Sequence, residues 1–199
     1  MTHTQHKDTK SSIYVPSLGL YVDKERVLYG KDWHIQQQEI INLTSKKKML
    51  RLYSFVELLL HLHTNLRGNP EYEKIFDDIT KKIDPYREER FDDFYFKKKG
   101  TLYVIFHEFG PKGNLVEKTQ ELEPCLMERR FIDLEEYLHN HTLQGLPRED
   151  ISAGRLFYSP PKEDSVAGFW AGSGRAGLNC GWNPGSSSSG LGVRAQREV

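Results

Sequence analysis

The chain closes on a segment that reads as a strand. Leu191-Gly-Val-Arg-Ala-Gln-Arg197 alternates small or apolar residues with polar ones, the period of a half-buried β-strand. A strand at a chain end needs a neighbour for its backbone N–H and C=O groups, so this segment is expected to lie inside a sheet. That constrains what precedes it. Nine of the sixteen glycines lie from Gly154 onward, lysine is absent after Lys162, and Glu198 is the only acid after Asp164. Taken alone, Gly185-Ser-Ser-Ser-Ser-Gly190 has the composition of a flexible linker. Placed before a paired strand, it is expected to be an ordered loop.

At 199 residues the chain is long enough for one domain with a sizeable core. Residues 1–11 are polar and lack the apolar centre of a signal peptide, so they read as a disordered lead-in to a single domain over 12–199. Twenty-eight basic residues balance 28 acidic ones, leaving no global field to draw the chain to nucleic acid or an anionic membrane. No stretch has the apolar length of a membrane span. The absence of both signals favours a cytoplasmic or phage-borne protein. Cys125 and Cys180 are too few for a disulfide framework and read as ordinary thiols.

Pro16 and Gly19 divide the first apolar residues into strands near 13–15 and 18–23, which are expected to pair with 191–197. From Trp33 the period becomes helical, with Ile35, Ile40, Ile41 and Leu43 on one side and Gln36–Glu39 as the polar face. Lys46-Lys-Lys reads as a solvated turn. A second helix is expected over about 54–65, with Ser54 as N-cap and Glu57 completing a capping box. A third runs over 71–83, with Ile75, Ile79 and Ile83 on one stripe, and Asp84-Pro85 ends it. Thr101–Phe109 is a strand, Gly110–Asn114 a turn back into Leu115-Val-Glu, and Ile132–Leu138 a short helix. Phe91-Asp-Asp-Phe-Tyr-Phe is aromatic and crowded, with no clear period.

Few residues are arranged for chemistry. His61 and His63 are two apart, on different faces of a helix, a poor metal pair. His139-Asn-His141 matches a nuclease motif in its letters only. Gly172-Ser-Gly-Arg-Ala-Gly lacks the following helix of a dinucleotide fingerprint. No nucleophile elbow, P-loop or zinc spacing is present, and Cys180 reads as a small buried residue. What the C-terminal region does offer is rigid aromatic anchors, Trp170 and Trp182, among Ser, Gly, Asn and Arg. That is the composition of a binding face rather than a catalytic centre, so no enzyme activity and no cofactor or metal are expected. Replacing both tryptophans by alanine should then abolish binding and leave the melting temperature nearly unchanged.

The order of these features resembles the C-type-lectin-like fold, in the branch shared by formylglycine-generating-enzyme-like domains and variable proteins of diversity-generating retroelements. The resemblance rests on Trp33 opening a helix, on a basic turn leading into Met49-Leu-Arg-Leu-Tyr-Ser-Phe-Val-Glu-Leu, and on the closing Leu191-Gly-Val-Arg194. The proline usual before the second helix is missing, and residues 70–145 correspond only in size and order. The resemblance implies an α+β domain with helices packed on small mixed or antiparallel sheets and with its terminal strands paired. For the retroelement proteins it implies a fixed scaffold whose C-terminal segment, here 165–199, is rewritten by adenine-directed mutagenesis to bind varied protein or other macromolecular ligands. The candidate variable, ligand-facing positions are then Trp170, Gly172, Gly174, Arg175, Gly181, Trp182, Gly185, Ser186, Ser188 and Gly190. Val166, Phe169, Leu178, Cys180, Leu191 and Val193 would be scaffold.

Two other functions fit the same resemblance. One is a phage or cell-surface adhesion domain without diversification. The other is an oxidase like the formylglycine-generating enzymes, which use a close pair of C-terminal cysteines to bind copper. Here Cys180 stands without a second cysteine in that region, and the characteristic Arg-Gly-Gly-Ser-Trp run is missing. A calcium-dependent sugar site is not expected either, because the tail lacks acidic oxygen ligands.

Overall fold

The computed structural model describes residues 7–43, 46–81, 86–111, 114–172 and 175–199. In chain order its elements are β1 (Ser12–Val15), β2 (Leu20–Val27), α1 (Trp33–Leu43), β3 (Lys48–Met49), α2 (Leu52–Thr64) and α3 (Pro70–Thr80). There follow β4 (Arg87–Lys98), β5 (Thr101–Phe109), β6 (Leu115–Glu121), β7 (Arg130–Ile132), α4 (Leu134–His139), β8 (Leu156–Ser159), β9 (Ser165–Gly172), β10 (Arg175–Trp182) and β11 (Leu191–Glu198). The protein is thus α+β as expected, but in place of small sheets it has one large mixed sheet in the order β1-β2-β11-β4-β9-β10-β8-β7. β3 pairs with β11, and the β5–β6 hairpin extends from β4. Two pairings are parallel, β11 with β4 and β8 with β10.

The last strand lies near the middle of the sheet. β11 runs antiparallel to β2, with Arg197 opposite Tyr21 and Val193 opposite Val27, so the two ends of the chain are joined by one ladder. Alternation along each strand separates two cores. On one face Phe169, Leu178, Cys180, Phe91 and Tyr95 pack with Phe55, Leu58, Leu59 and Leu62 of α2. On the other, Val166, Val193 and Ala195 pack with Met49 and with Trp33 and Ile40 of α1. Each fully buried aliphatic or aromatic side chain contributes roughly 1.5–3 kcal/mol of transfer free energy. Among the described residues no helix is long and apolar enough to cross a membrane.

Three helices differ from the sequence expectation for physical reasons. In α1 the glutamines expected on the polar face are buried: Gln36 donates to the Leu28 carbonyl at 3.0 Å, and Gln37 donates to Asp92. Ile35, Ile41 and Leu43 are exposed instead. Tertiary partners for two amides have overridden the apolar stripe. In α2 neither Ser54 nor a capping box closes the first turn. Ser54 is buried inside the helix, and the Leu52 N–H is capped by the carboxylate of distant Asp93 at 2.6 Å. α3 begins as proline-led helices do, with Pro70 in its first turn and the Asn69 side chain accepting from the Tyr72 N–H. Ile75 and Ile79 lie on its inner side, while Ile83, Asp84 and Pro85 fall outside the described residues.

Of the expected lead-in over 1–11, residues 1–6 lie outside the described residues. Beyond them Asp8 accepts hydrogen bonds from the Tyr14 N–H and the Tyr72 hydroxyl, and Lys24 donates to the Thr9 carbonyl. These contacts fasten residues 8 and 9 to β1, β2 and α3.

Candidate functional site

β9 and β10 turn one set of side chains to the helix-covered core and the other set outward. Inward go Ala167 and Phe169, with Leu178 and Cys180. Outward go Trp170 on β9 and Arg175, Gly177, Asn179 and Gly181 on β10. The register places Gly177 opposite Trp170 and Asn179 opposite Gly168. Glycine is required at two of these positions by close approach. The Trp170 indole lies flat enough on Gly177 that a Cβ there would meet the ring at 2.7 Å. The Trp182 ring lies on Gly168, where a Cβ would come within 2.1 Å. Both tryptophans are therefore seated in slots cut by missing side chains.

Trp170 is one member of a row. Its ring is 6.0 Å from Tyr86 on one side and 6.4 Å from Phe157 on the other, and Phe157 is 5.5 Å from Phe131. Tyr86 and Phe131 are exposed, at 47% and 44% of their surface. The Arg129 guanidinium stands 5.9 Å from the Phe157 ring, within cation–π range. Sequence reasoning missed Tyr86, Phe131, Phe157 and Arg129, all of which lie outside 165–199. The one available signal was the alternation Leu156-Phe-Tyr158, in which the middle residue faces the other way from its neighbours.

Trp182 is different. It packs against the smaller core, with Trp33, Val166 and Val193. This changes what its removal should do. Trp182→Ala is expected to destabilise the fold by about 1–3 kcal/mol, less than for a fully buried ring. Trp170→Ala, which uncovers only Gly177 and one side of the row, should cost less than Trp182→Ala. Urea unfolding of the two single variants checks the order. The unchanged melting temperature expected from sequence for the double variant does not follow from this packing.

Between β10 and β11 the loop 183–190 is held by its backbone. Buried Arg90 donates to the carbonyls of Asn183 (3.2 Å), Pro184 (3.3 Å) and Ser186 (2.6 Å). The Trp33 N–H donates to the Pro184 carbonyl at 2.9 Å, and Arg26 to that of Gly190 at 3.0 Å. The side chains of Ser186, Ser187, Ser188 and Ser189 are exposed. Of these, Ser188 donates to Glu88 at 2.7 Å. A poly-serine run is thus ordered without its side chains carrying the order.

The ten positions named from sequence divide accordingly. Arg175, Gly185, Ser186 and Ser188 are exposed. At Gly181 and Gly185 an added Cβ meets nothing nearer than 3.3 Å. Trp170 and Trp182 are seated, and Gly172 lies against the Tyr86 ring, where a Cβ would come within 2.7 Å. Gly190 has no room, since its Cβ would lie 2.6 Å from the Tyr86 carbonyl oxygen. Gly174 lies outside the described residues. Hence Gly190→Ala is expected to cost about 1–3 kcal/mol by forcing backbone apart, and Gly185→Ser no more than about 0.5 kcal/mol. Thermal melts of the two variants test this.

Beneath the loop, β4 carries a cluster that its polar letters concealed. The register of β4 slips between Arg90 and Phe94, the mark of a bulge. Across it, Arg90 holds the loop, the Phe91 carbonyl accepts from the Trp33 indole at 2.9 Å, Asp92 binds His107, and Asp93 caps α2. Asp92 is fully buried and accepts from the His107 N–H at 2.8 Å, with His107 Nδ1 at 2.9 Å. Hydrogen bonding to Asp92 raises the His107 imidazole above its usual pKa, whereas burial pushes Asp92's own carboxyl up against the opposing pull of His107. His107 also lines a cavity of about 270 Å³ with Trp33, Phe94 and Glu117.

The remaining sequence candidates do not assemble. His61 meets Tyr72 edge-on, His63 lies tilted against Phe76, and His141 lies 3.4 Å from Glu57. Among the described residues no three His, Cys, Asp or Glu side chains are grouped to hold a metal ion. Cys125 and Cys180 are free, buried thiols, and burial raises Cys125 to about 11 and Cys180 well above its usual value. The chain matches no known protein-family model, no curated protein and no solved structure.

Proposed function

We propose that the protein is a ligand-binding display protein of the retroelement-diversified kind, built on a C-type-lectin-like scaffold. Its contact surface is the outer face of β7–β10 together with loop 183–190. The observation that carries this reading is the fastening of the loop by buried Arg90 and half-buried Arg26 through main-chain carbonyls. A loop held in that way keeps its shape when its side chains change, which is what a rewritten binding segment requires. Tyr86, Trp170, Phe157 and Phe131 supply rigid apolar contact area beside it, and the serines and Asn179 supply adaptable hydrogen bonding, the division of labour of a paratope. The ladder joining β2 to the last strand, β11, agrees with the scaffold named here.

Sequencing this gene and its flanks from many sister cells or phage tests the reading. The expected result is a nearby near-copy of the codons for 165–199 that differs at adenines. Changes should concentrate at Arg175, Gly181, Gly185, Ser186 and Ser188, while Gly168, Gly177 and Gly190 stay fixed. An invariant 3′ end with no such copy would reduce the protein to an undiversified adhesion domain using the same face.

A further inference from the structure

The aromatic row has a charge character that the whole chain lacks. Overall, 28 basic residues balance 28 acidic ones. On the row, Arg129 stands over Phe157, and Arg175 is exposed at the start of β10, two residues before the Gly177 slot that seats Trp170. Among the described residues neither arginine has a carboxylate within ion-pair distance. The acid across the strand from Trp170 is Glu88, and its carboxylate is already taken by the Ser188 hydroxyl. The face therefore presents aromatic rings, two guanidinium groups without an ion-pair partner among the described residues and a rim of serine hydroxyls, with the half-buried Glu88 carboxylate hydrogen-bonded to Ser188 at its edge.

Resting on the proposed ligand face, we infer that its partner is a protein presenting an acidic segment with aromatic or apolar side chains. Arginine forks donate to carboxylates in bidentate geometry, and on a partly desolvated aromatic surface such pairs gain strength. The ring arrangement distinguishes a peptide from other anionic polymers. Successive rings are tilted by 33°, 54° and 69°, so they make a ridged surface rather than a flat platform. Nucleobases and sugar rings bind in series on parallel faces, whereas side chains of a peptide enter the furrows between tilted rings.

The test uses the full chain and a random Glu–Tyr copolymer as probe, with a Lys–Tyr copolymer, heparin and oligothymidylate for comparison, read by fluorescence anisotropy. The Glu–Tyr copolymer is expected to bind, more weakly as salt is raised, and the Lys–Tyr copolymer not to bind. The Arg129→Ser/Arg175→Ser variant should lose about tenfold or more in affinity, as expected for two interfacial charges. Equal binding of both copolymers, absence of any binding, or an undiminished arginine variant overturns the inference. Preferential binding of heparin or oligothymidylate overturns it too, in favour of another polyanion. Phe131→Ser/Phe157→Ser separates this inference from the reading beneath it. If that variant loses Glu–Tyr binding while the arginine variant keeps it, the face stands and its acidic specificity falls. If it binds undiminished, the row is not the contact surface and both fall.

Discussion

Replacing Arg194 by methionine is expected to cost about 3–5 kcal/mol of folding stability, the penalty for stripping one partner from a buried ion pair. Arg194 is fully buried. Its Nε donates to Glu89 Oε1 at 2.9 Å and its Nη2 to Oε2 at 3.3 Å, a two-pronged grip on a carboxylate that is itself buried. Its Nη1 donates to the carbonyls of Asp23, at 2.8 Å, and of Lys24. One guanidinium thus joins β11, β4 and β2 where the β2–β11 ladder slips register. Without it the buried Glu89 carboxyl loses the guanidinium that compensates its desolvation. The double variant Glu89→Met/Arg194→Met should recover most of the loss, since a buried ion pair is often replaced by apolar groups at little net cost. Recovery will be incomplete by about 1–3 kcal/mol, because two strand carbonyls lose their donor. Urea unfolding of the four members of the cycle measures the coupling. A coupling near zero would show that the Leu191-Gly-Val-Arg194 strand is held by its ladder alone.

The parts of the fold legible in the sequence are those whose order comes from local period. Leu191–Arg197 was readable as a strand from its alternation, although it is buried on both faces instead of half-buried. Its need for a neighbour is met by β2, while β1 pairs with β2 and not with it. β5 was readable too, and the run Thr101–Phe109 gave its bounds to the residue. β4 was not readable. Its centre, Glu89-Arg-Phe-Asp-Asp93, carries four charges in five positions, and every one of them is buried against a partner distant in sequence. No periodicity argument can place a buried aspartate whose partner is a helix N–H forty-one residues away. The burial of Gln36 and Gln37 was hidden for the same reason.

The candidate site divides along that line. Composition singled out the glycine- and serine-rich stretch from Trp170 to Gly190 as a candidate binding face, but it did not separate glycines that make slots from glycines that leave room. Gly190 and Gly185 look alike in sequence. Only the Tyr86 carbonyl, 2.6 Å from where a Cβ would be, distinguishes them. Three of the four rings of the aromatic row were also out of reach, because Phe131 and Phe157 join Trp170 through strand pairing across β7, β8 and β10, and Tyr86 does so from the residue before β4.

The second large effect concerns pH. Asp93 is fully buried, and loss of hydration pushes its carboxyl up to about 7, against the pull of Arg51, whose Nε is 4.0 Å away. A carboxyl that holds its proton more tightly when folded contributes stability at low pH that is lost as pH rises through the interval from its unfolded value near 4 to about 7. The folded state binds more protons than the unfolded one there, so the slope of stability against pH is negative. Asp93→Asn keeps an acceptor for the Leu52 N–H and cannot ionise. Relative to this variant, the natural protein should lose on the order of 2–3 kcal/mol between about pH 5 and about pH 8. Asp92 and His107 also titrate upward but are common to both proteins, so the difference between the two curves isolates Asp93. Urea unfolding across that interval provides the measurement, and parallel curves would mean that Arg51 keeps Asp93 ionised throughout. The cost is instructive whichever partner sets it. A serine or threonine in the residue before Leu52 could have capped α2 locally with no buried charge. Capping it from Asp93 instead places the helix on the same β4 bulge from which Arg90 holds loop 183–190, so one short stretch of backbone fixes both the core helix and that loop.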